Sequence, residues 1–164
     1  MGQLFCGAAE RTITPPIGLS MPGSFGSRYA TGVRDELYTQ AVVVDDGKTA
    51  VALVSIDILD FKASLTATIR REVKARLGTD VQVMTAATHT HWGSPTNYLC
   101  FGSAPDAKQV KRIISQTVDA ITEAYRNRVP VKAGYGVGEE KRISFCRNYY
   151  MTDGTILTNP FRRI

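Results

Sequence analysis

The sequence predicts a mixed α/β (α+β) fold, in which two main helices lie on a mixed, largely antiparallel β-sheet. An Asp-Gly turn at 45–48 separates two β-branched runs, which indicates a hairpin. Apolar residues recur at helical spacing in 63–77 and 106–126, with a strand-like apolar run at 81–87 between them. The length of 164 residues favours a single domain, 1–164, that is large enough to bury a core.

The composition narrows the classes of function. There are 20 Lys and Arg against 15 Asp and Glu, but the two signs are interleaved, so we expect no nucleic-acid partner. No apolar run approaches the roughly 18 residues of a transmembrane segment, and the first residues do not resemble a signal peptide, so we expect a cytoplasmic protein. The three cysteines, Cys6, Cys100 and Cys146, form no CxxC pair and are expected to be mostly buried thiols.

The first half of the chain alternates strands with irregular structure. Residues 4–14 favour a strand that ends at two consecutive prolines. The Gly-, Ser- and Pro-rich stretch 15–32 carries apolar anchors, which favours a functional loop over a linker. Strands at 37–44 and 49–58 flank the hairpin turn, and the second is apolar enough to be central in the sheet.

Two helices and three further strands complete the prediction. The first helix, 63–77, ends at Gly78. The second, 106–126, has Pro105 or Asp106 suited to its first turn and is closed by Pro130. The strand 81–87 separates them. The alternation of apolar residues then predicts strands at 131–138 and 143–150.

Both histidines of the chain, His89 and His91, stand directly after the strand 81–87. In extended backbone, the spacing of two residues puts both rings on one face, which is a recurrent way to present two nitrogens to a metal. Zinc suits imidazole, and a catalytic zinc has three protein ligands. Asp57 and Asp60 are candidates for a further ligand or for an acceptor that orients an imidazole.

The same residues also fit ordinary structural roles. A histidine at a strand end commonly makes one structural hydrogen bond, and an aspartate there is commonly a turn or cap residue. Cys100 is a weaker candidate ligand than either aspartate. The residues alone therefore leave a metal site and a purely structural corner both open.

Several blocks in order carry a family resemblance. They are 9–18 with 21–23, 31–33 with 37–46, 54–59, 86–91, and 153–155 with 158–160. The fourth block reads Ala-Ala-Thr-His-Thr-His. Together they resemble the neutral/alkaline (non-lysosomal) ceramidase family, in the N-terminal part of its catalytic domain.

The resemblance implies a zinc-dependent amidohydrolase that cleaves the N-acyl amide bond of ceramide-like lipids with metal-activated water. It implies that His89 is a zinc ligand and that His91 lies beside the metal, where it contacts the substrate or the developing oxyanion. The family's arginine in an Asn-Arg context is matched best by Arg147, in Cys146-Arg147-Asn148. Asp57 remains a weaker candidate ligand or an orienting residue.

Two departures from the family qualify this expectation. Trp92-Gly93-Ser94-Pro95 stands where the family has Ser-Gly-Pro. The family's remaining ligands, a histidine, a glutamate and a tyrosine, lie further along than this chain extends. We therefore expect an incomplete catalytic domain, inactive alone, whose partners are a ceramide-like lipid or other N-acyl substrate, and either a second copy or the missing C-terminal half. The alternative is a non-catalytic, degenerate domain that acts through self-association or a protein partner on a large apolar surface.

Overall fold

A computed structural model describes residues 2–24, 26–98 and 104–158. The chain forms two compact units, Met1–Lys132 and Ala133–Ile164. The first unit holds the main sheet, both helices and both histidines. The second holds a two-stranded hairpin.

The described elements follow one another along the chain, with the long segment 88–106 between the last strand of the parallel pair and the second helix. They are β1 (Leu4–Thr12), β2 (Ser20–Met21), β3 (Arg28–Tyr29), β4 (Tyr38–Asp45), β5 (Ala50–Ile56), α1 (Ala63–Leu77), β6 (Val81–Ala87), α2 (Ala107–Arg126), β7 (Val129–Val131), β8 (Asn148–Tyr150) and β9 (Ile156–Thr158). The main sheet has the order β6-β5-β4-β1-β7. Only β5 and β6 pair in parallel, so the predicted mixed, largely antiparallel sheet with two helices is confirmed.

The β4–β5 hairpin forms where the Asp-Gly turn predicted it. Gly47 has a φ of 84°, a conformation that glycine adopts without strain. The carboxylate of Asp46 accepts the backbone N–H groups of Thr49 and Lys48, each at 2.8 Å. These two bonds, with that of Thr49 the stronger influence, lower the pKa of Asp46 below its ordinary value. The turn sets the register that places Asp45 opposite Ala50.

The two helices end and begin at the residues that the sequence indicated. Gly78 ends α1 in the left-handed conformation, with its N–H donated to the carbonyl of Lys74. Asp106 caps α2 by accepting the N–H of Gln109 at 2.8 Å. Both helices pack on one face of the sheet, and their contacts with it form a fully buried core. Its largest members are Ile13, Val43, Ile56, Ile58, Ile69, Val73, Val83, Ile113, Val118 and Ile121.

Three details of the sequence prediction are corrected. Of the strands expected at 131–138 and 143–150, only Val129–Val131 and Asn148–Tyr150 are formed. The alternation there is real, but Tyr135 and Val137 are exposed, and pattern alone cannot supply a pairing strand. Pro130, expected to follow the last helix as a stop, lies inside the edge strand β7 opposite Phe5.

Two expectations from the composition concern the burial of the cysteines and the presence of a membrane-spanning helix. Cys6 is partly buried and Cys146 is exposed, so the expectation of burial is wrong for Cys146. Cys100 lies outside the described residues. Neither helix in the described ranges has the length and apolar character needed to cross a membrane.

Candidate functional site

The candidate site lies where β5 and β6 end side by side. The two strands are parallel, and their last residues, Ile56 and Ala87, are in register. Beyond the strands the chain stays hydrogen-bonded: the N–H of Thr88 donates to Ile56 at 3.0 Å, and that of His89 donates to Ile58 at 3.1 Å. The carboxyl ends of parallel strands are a common place for functional side chains in α/β folds.

The carboxylate of Asp57 forms hydrogen bonds to two chain segments at the end of β5 and β6. Its Oδ2 accepts the N–H of Tyr38 at 2.9 Å, and its Oδ1 accepts the hydroxyl of Thr88 at 3.0 Å. The carboxylate thus joins the start of β4 to the chain beyond β6. Neither of these partners is an imidazole, and the assignment of Asp57 as a ligand or as an orienting residue stays a prediction. Asp60 is similarly occupied, since its carboxylate accepts the side-chain amide of Asn97 at 3.2 Å.

The structure brings the two histidines together by a route that the sequence did not indicate. β6 ends at Ala87, and His89 has a φ of 63°, so the assumption of extended backbone is wrong. A positive φ is uncommon outside glycine and costs conformational energy. The ring centroids of His89 and His91 are nonetheless 5.1 Å apart, with an interplanar angle of 79°. The left-handed residue, rather than strand alternation, sets this geometry.

A backbone carbonyl orients each imidazole. Nδ1 of His89 lies 2.9 Å from the carbonyl oxygen of Leu59, and Nδ1 of His91 lies 3.0 Å from that of Gly23. Because a carbonyl oxygen only accepts, Nδ1 is the donor in each contact, and in the neutral form of each ring Nε2 therefore carries the lone pair. Neither Nε2 has a hydrogen-bond partner within the part of the chain that the structure describes. Histidines that bind metals are commonly oriented in this way.

The 15–32 loop contacts and supports His91, and its functional role stays a prediction. Nη2 of Arg28 donates to the carbonyls of His91 at 2.6 Å and Pro22 at 3.3 Å. The guanidinium also lies 4.8 Å from the centroid of the Trp92 ring. Gly23 has a φ of 89°, and a Cβ there would lie 2.2 Å from Nδ1 of His91. Neither Gly23 nor Arg28 was predicted to have a role at this corner. Pro-Gly pairs are typical of turns, but such a pair does not specify a partner 68 residues away.

A pocket of about 480 Å³ opens beside the chain segment that carries His91. Thr90 and Trp92, the two neighbours of His91, line it. Its apolar walls are Pro15, Met21, Ala30, Val33, Leu37 and Trp92. The Trp92 ring is 66% exposed, so the large side chain that departs from the family sequence is available to a ligand.

The structure tests how far these residues fit a zinc ion. In residues 2–24, 26–98 and 104–158, no three His, Cys, Asp or Glu side chains are grouped so that they could hold a metal. The two imidazoles are suitable donors, but a catalytic zinc has three protein ligands. The described residues therefore fit part of a zinc site and do not complete it. Arg147 lies in the second unit, exposed and immediately before β8, and its assignment stays a prediction.

Comparison with known proteins addresses the fold. No protein-family model matches the chain, and no curated protein matches it. Solved structures do match, and two of them are ceramidases. Neutral ceramidase from Pseudomonas aeruginosa matches with a TM-score of 0.68 at 20% identity, over 79% of this chain and 22% of that one. A ceramidase complexed with C2 matches with a TM-score of 0.67 at 20% identity, over the same shares.

These matches span less than a quarter of the ceramidase chains, at 22% of their length, and they are too distant in sequence to carry an activity across. They do cover most of the described chain, and the five ordered sequence blocks point to the same relatives. The chain therefore has a neutral ceramidase-like fold.

Proposed function

We propose that this chain is the N-terminal part of a zinc-dependent amidohydrolase that cleaves the N-acyl amide bond of ceramide-like lipids. The observation that carries the proposal is the histidine pair, in which both Nδ1 atoms are held by carbonyls and both Nε2 atoms are without a described protein partner. The fold likeness supports it, because the P. aeruginosa neutral ceramidase structure contains a region of the same architecture.

Each residue of the corner has a role in this proposal. His89 offers Nε2 to the metal, and the carbonyl of Leu59 fixes the tautomer that makes this nitrogen a donor of electrons. His91 offers its own Nε2 to the substrate or to the oxyanion that develops on the amide carbonyl. Arg147 is assigned to the same oxyanion by resemblance alone. Asp57 positions the corner through the hydroxyl of Thr88.

Zinc bound at such a site would polarise the amide carbonyl and promote ionisation of a coordinated water. The protein's own contribution is to hold two imidazoles in fixed orientation at the sheet edge. The remaining ligands would come from residues beyond those described. We therefore expect the chain alone to bind zinc weakly and to be inactive.

Titration calorimetry with zinc tests this proposal. We expect a Kd above about 1 μM, corresponding to less than ~8 kcal/mol, which is below the ~10–16 kcal/mol of complete structural sites. His89→Ala should weaken binding by roughly tenfold or more, because it removes the proposed ligand. His91→Ala is the matched comparison and should have a smaller effect. Equal zinc affinity in the wild type and His89→Ala would contradict the ligand assignment, and turnover of an N-acyl sphingoid amide by this chain alone would contradict the incomplete site.

A second candidate function is a non-catalytic domain that self-associates through the sheet face opposite the helices. Four residues on that face, Ala8, Val42, Leu53 and Met84, are paired neighbours in one row across the sheet. Leu53 is 49% exposed and Met84 is 61% exposed. A continuous apolar row of this kind is typical of surfaces that are covered in an assembly.

Sedimentation velocity at increasing protein concentration tests the second candidate. Self-association through this face predicts an oligomer that Leu53→Glu disrupts, because the substitution would bury a charge without a partner. Gln82→Glu is the control, since it adds the same charge on the same face outside the apolar row. A wild-type chain that stays monomeric at all concentrations would rule this candidate out.

A further inference from the structure

The pocket beside His91 carries a further inference, which rests on the proposed function. We propose that this pocket binds a compact apolar acyl group of an N-acyl amine, with Trp92 as the specificity-determining residue and Arg28 as the residue that positions it. The lining and the volume of the pocket, from which we argue, do not depend on which residues complete the metal site.

Position supports the pocket as part of the site. Thr90 and Trp92 line it and are the two chain neighbours of His91, so a ligand in the pocket lies against the chain segment that carries this histidine, although neither imidazole is part of the lining. The walls are largely apolar, with Pro15, Val33 and Leu37 among them. Small-molecule sites have this character: an apolar cavity with a few polar groups at one side that fix orientation.

Size supports a compact acyl group. The volume of about 480 Å³ lies in the lower part of the ~300–1,000 Å³ range of ligand pockets. Two charged side chains line the pocket, and Nε of Arg34 lies 3.8 Å from Oδ2 of Asp35. Both are highly exposed, and their opposite charges leave no net charge in the lining to select an ionic ligand. An uncharged apolar group is therefore the occupant that the lining favours.

Trp92 is held in place rather than loosely exposed. The guanidinium of Arg28 lies 4.8 Å from the centroid of its ring, and Nη2 of the same side chain donates to the carbonyls of His91 and Pro22. One cation thus fixes both the pocket wall and the backbone of the neighbouring histidine. Its Nε is buried and has no hydrogen-bond partner among the described residues, as expected if the side chain's other contacts dictate its position.

Fluorescence tests the pocket in the intact chain, because Trp92 is its single tryptophan. The probes are N-hexanoyl-ethanolamine and N-acetyl-ethanolamine, titrated without zinc. We expect a saturable change in Trp92 emission, with the hexanoyl compound binding at least about tenfold more tightly, because its longer chain buries more methylene groups. No saturable change, or equal affinities for the two probes, would overturn the proposal.

Gly32→Leu fills the pocket and serves as the decisive variant. A Cβ at Gly32 meets no atom within 4 Å, and this glycine is not in the left-handed region, so the fold should tolerate the change. We expect hexanoyl affinity to fall at least about tenfold, in line with the loss of buried apolar area. Gly138→Leu, at a glycine equally open but outside the pocket lining, should leave it unchanged. Unchanged affinity in Gly32→Leu would overturn the proposal.

A second pocket variant and a positioning variant complete the test. Val33→Glu, at a side chain that is 50% exposed, should also weaken hexanoyl binding by placing a charge in the lining. Arg28→Ala should shift the Trp92 emission and weaken binding, and Arg28→Lys should restore part of both, because it keeps the cation over the ring. A lysine variant no better than alanine would overturn the positioning role. The fluorescence titrations contain no zinc, and zinc affinity is measured separately. If His89→Ala leaves zinc affinity unchanged while the pocket variants weaken hexanoyl binding, the proposed function is contradicted and the pocket assignment is not.

Discussion

Replacing Gly23 with alanine is expected to displace the imidazole of His91 and to destabilise the first unit. The added Cβ would lie 2.2 Å from Nδ1 and 2.5 Å from Cγ of that ring, far inside contact distance. The φ of 89° at Gly23 adds a left-handed backbone cost of about 1–2 kcal/mol for any residue with a Cβ. We expect the free energy of unfolding, measured with denaturant, to fall by about 2 kcal/mol or more. We also expect the NMR resonances of the His91 ring to shift.

Gly18→Ala separates backbone strain from the clash. Gly18 has the same φ of 89°, but a Cβ there meets no atom within 4 Å. It should therefore lose only the left-handed cost of about 1–2 kcal/mol and leave the His91 signals in place. If the two variants behave alike in both measurements, the account of Gly23 as the residue that seats His91 is wrong.

Replacing Gly7, the glycine of β1, with alanine is expected to cost more stability than replacing Gly23 or Gly18. A Cβ at Gly7 would lie 2.0 Å from the backbone oxygen of Ala124 and 3.1 Å from the backbone nitrogen of Arg128. These are backbone atoms at the end of α2, so no side-chain rotation relieves the contact. Overpacking costs ~1–3 kcal/mol and occasionally more, and we expect about 3 kcal/mol in equilibrium denaturation.

The control for Gly7 is the same substitution at an open glycine of the same unit. Gly32→Ala meets no atom within 4 Å and should change stability by no more than about 1 kcal/mol, in the stabilising direction. A loss in Gly7→Ala as small as the change in Gly32→Ala would mean that α2 does not approach β1 as closely as the structure has it.

Local signals predicted the elements of the first unit well. The helix at 63–77 and the strand at 81–87 have the predicted bounds, because periodicity and a glycine stop are encoded by neighbouring residues. The hairpin at 45–48 follows from its Asp-Gly turn. The prediction of two long strands in 131–150 was wrong for a physical reason. Alternation of apolar residues indicates that a segment can line a sheet, but pairing depends on a partner strand that the segment itself does not specify.

The candidate site was predictable as a location but not as a geometry. Two histidines after a buried strand identified the corner. The left-handed His89 and the carbonyl of Gly23 were not predictable, because the first depends on how the chain leaves β6 and the second on a contact across 68 residues. Asp57 was correctly associated with this edge, but its carboxylate partners, Tyr38 and Thr88, come from two other strand ends.

The measurement that tests the central claim most directly is the long-range ¹H–¹⁵N spectrum of the imidazoles at mildly alkaline pH, with and without zinc. The chain has two histidines, so the spectrum holds two ring systems that His91→Ala assigns. The account predicts that both rings are protonated at Nδ1 and that zinc moves the Nε2 resonance of His89. A ring of His89 protonated at Nε2, or an Nε2 resonance that zinc leaves unmoved, would contradict it.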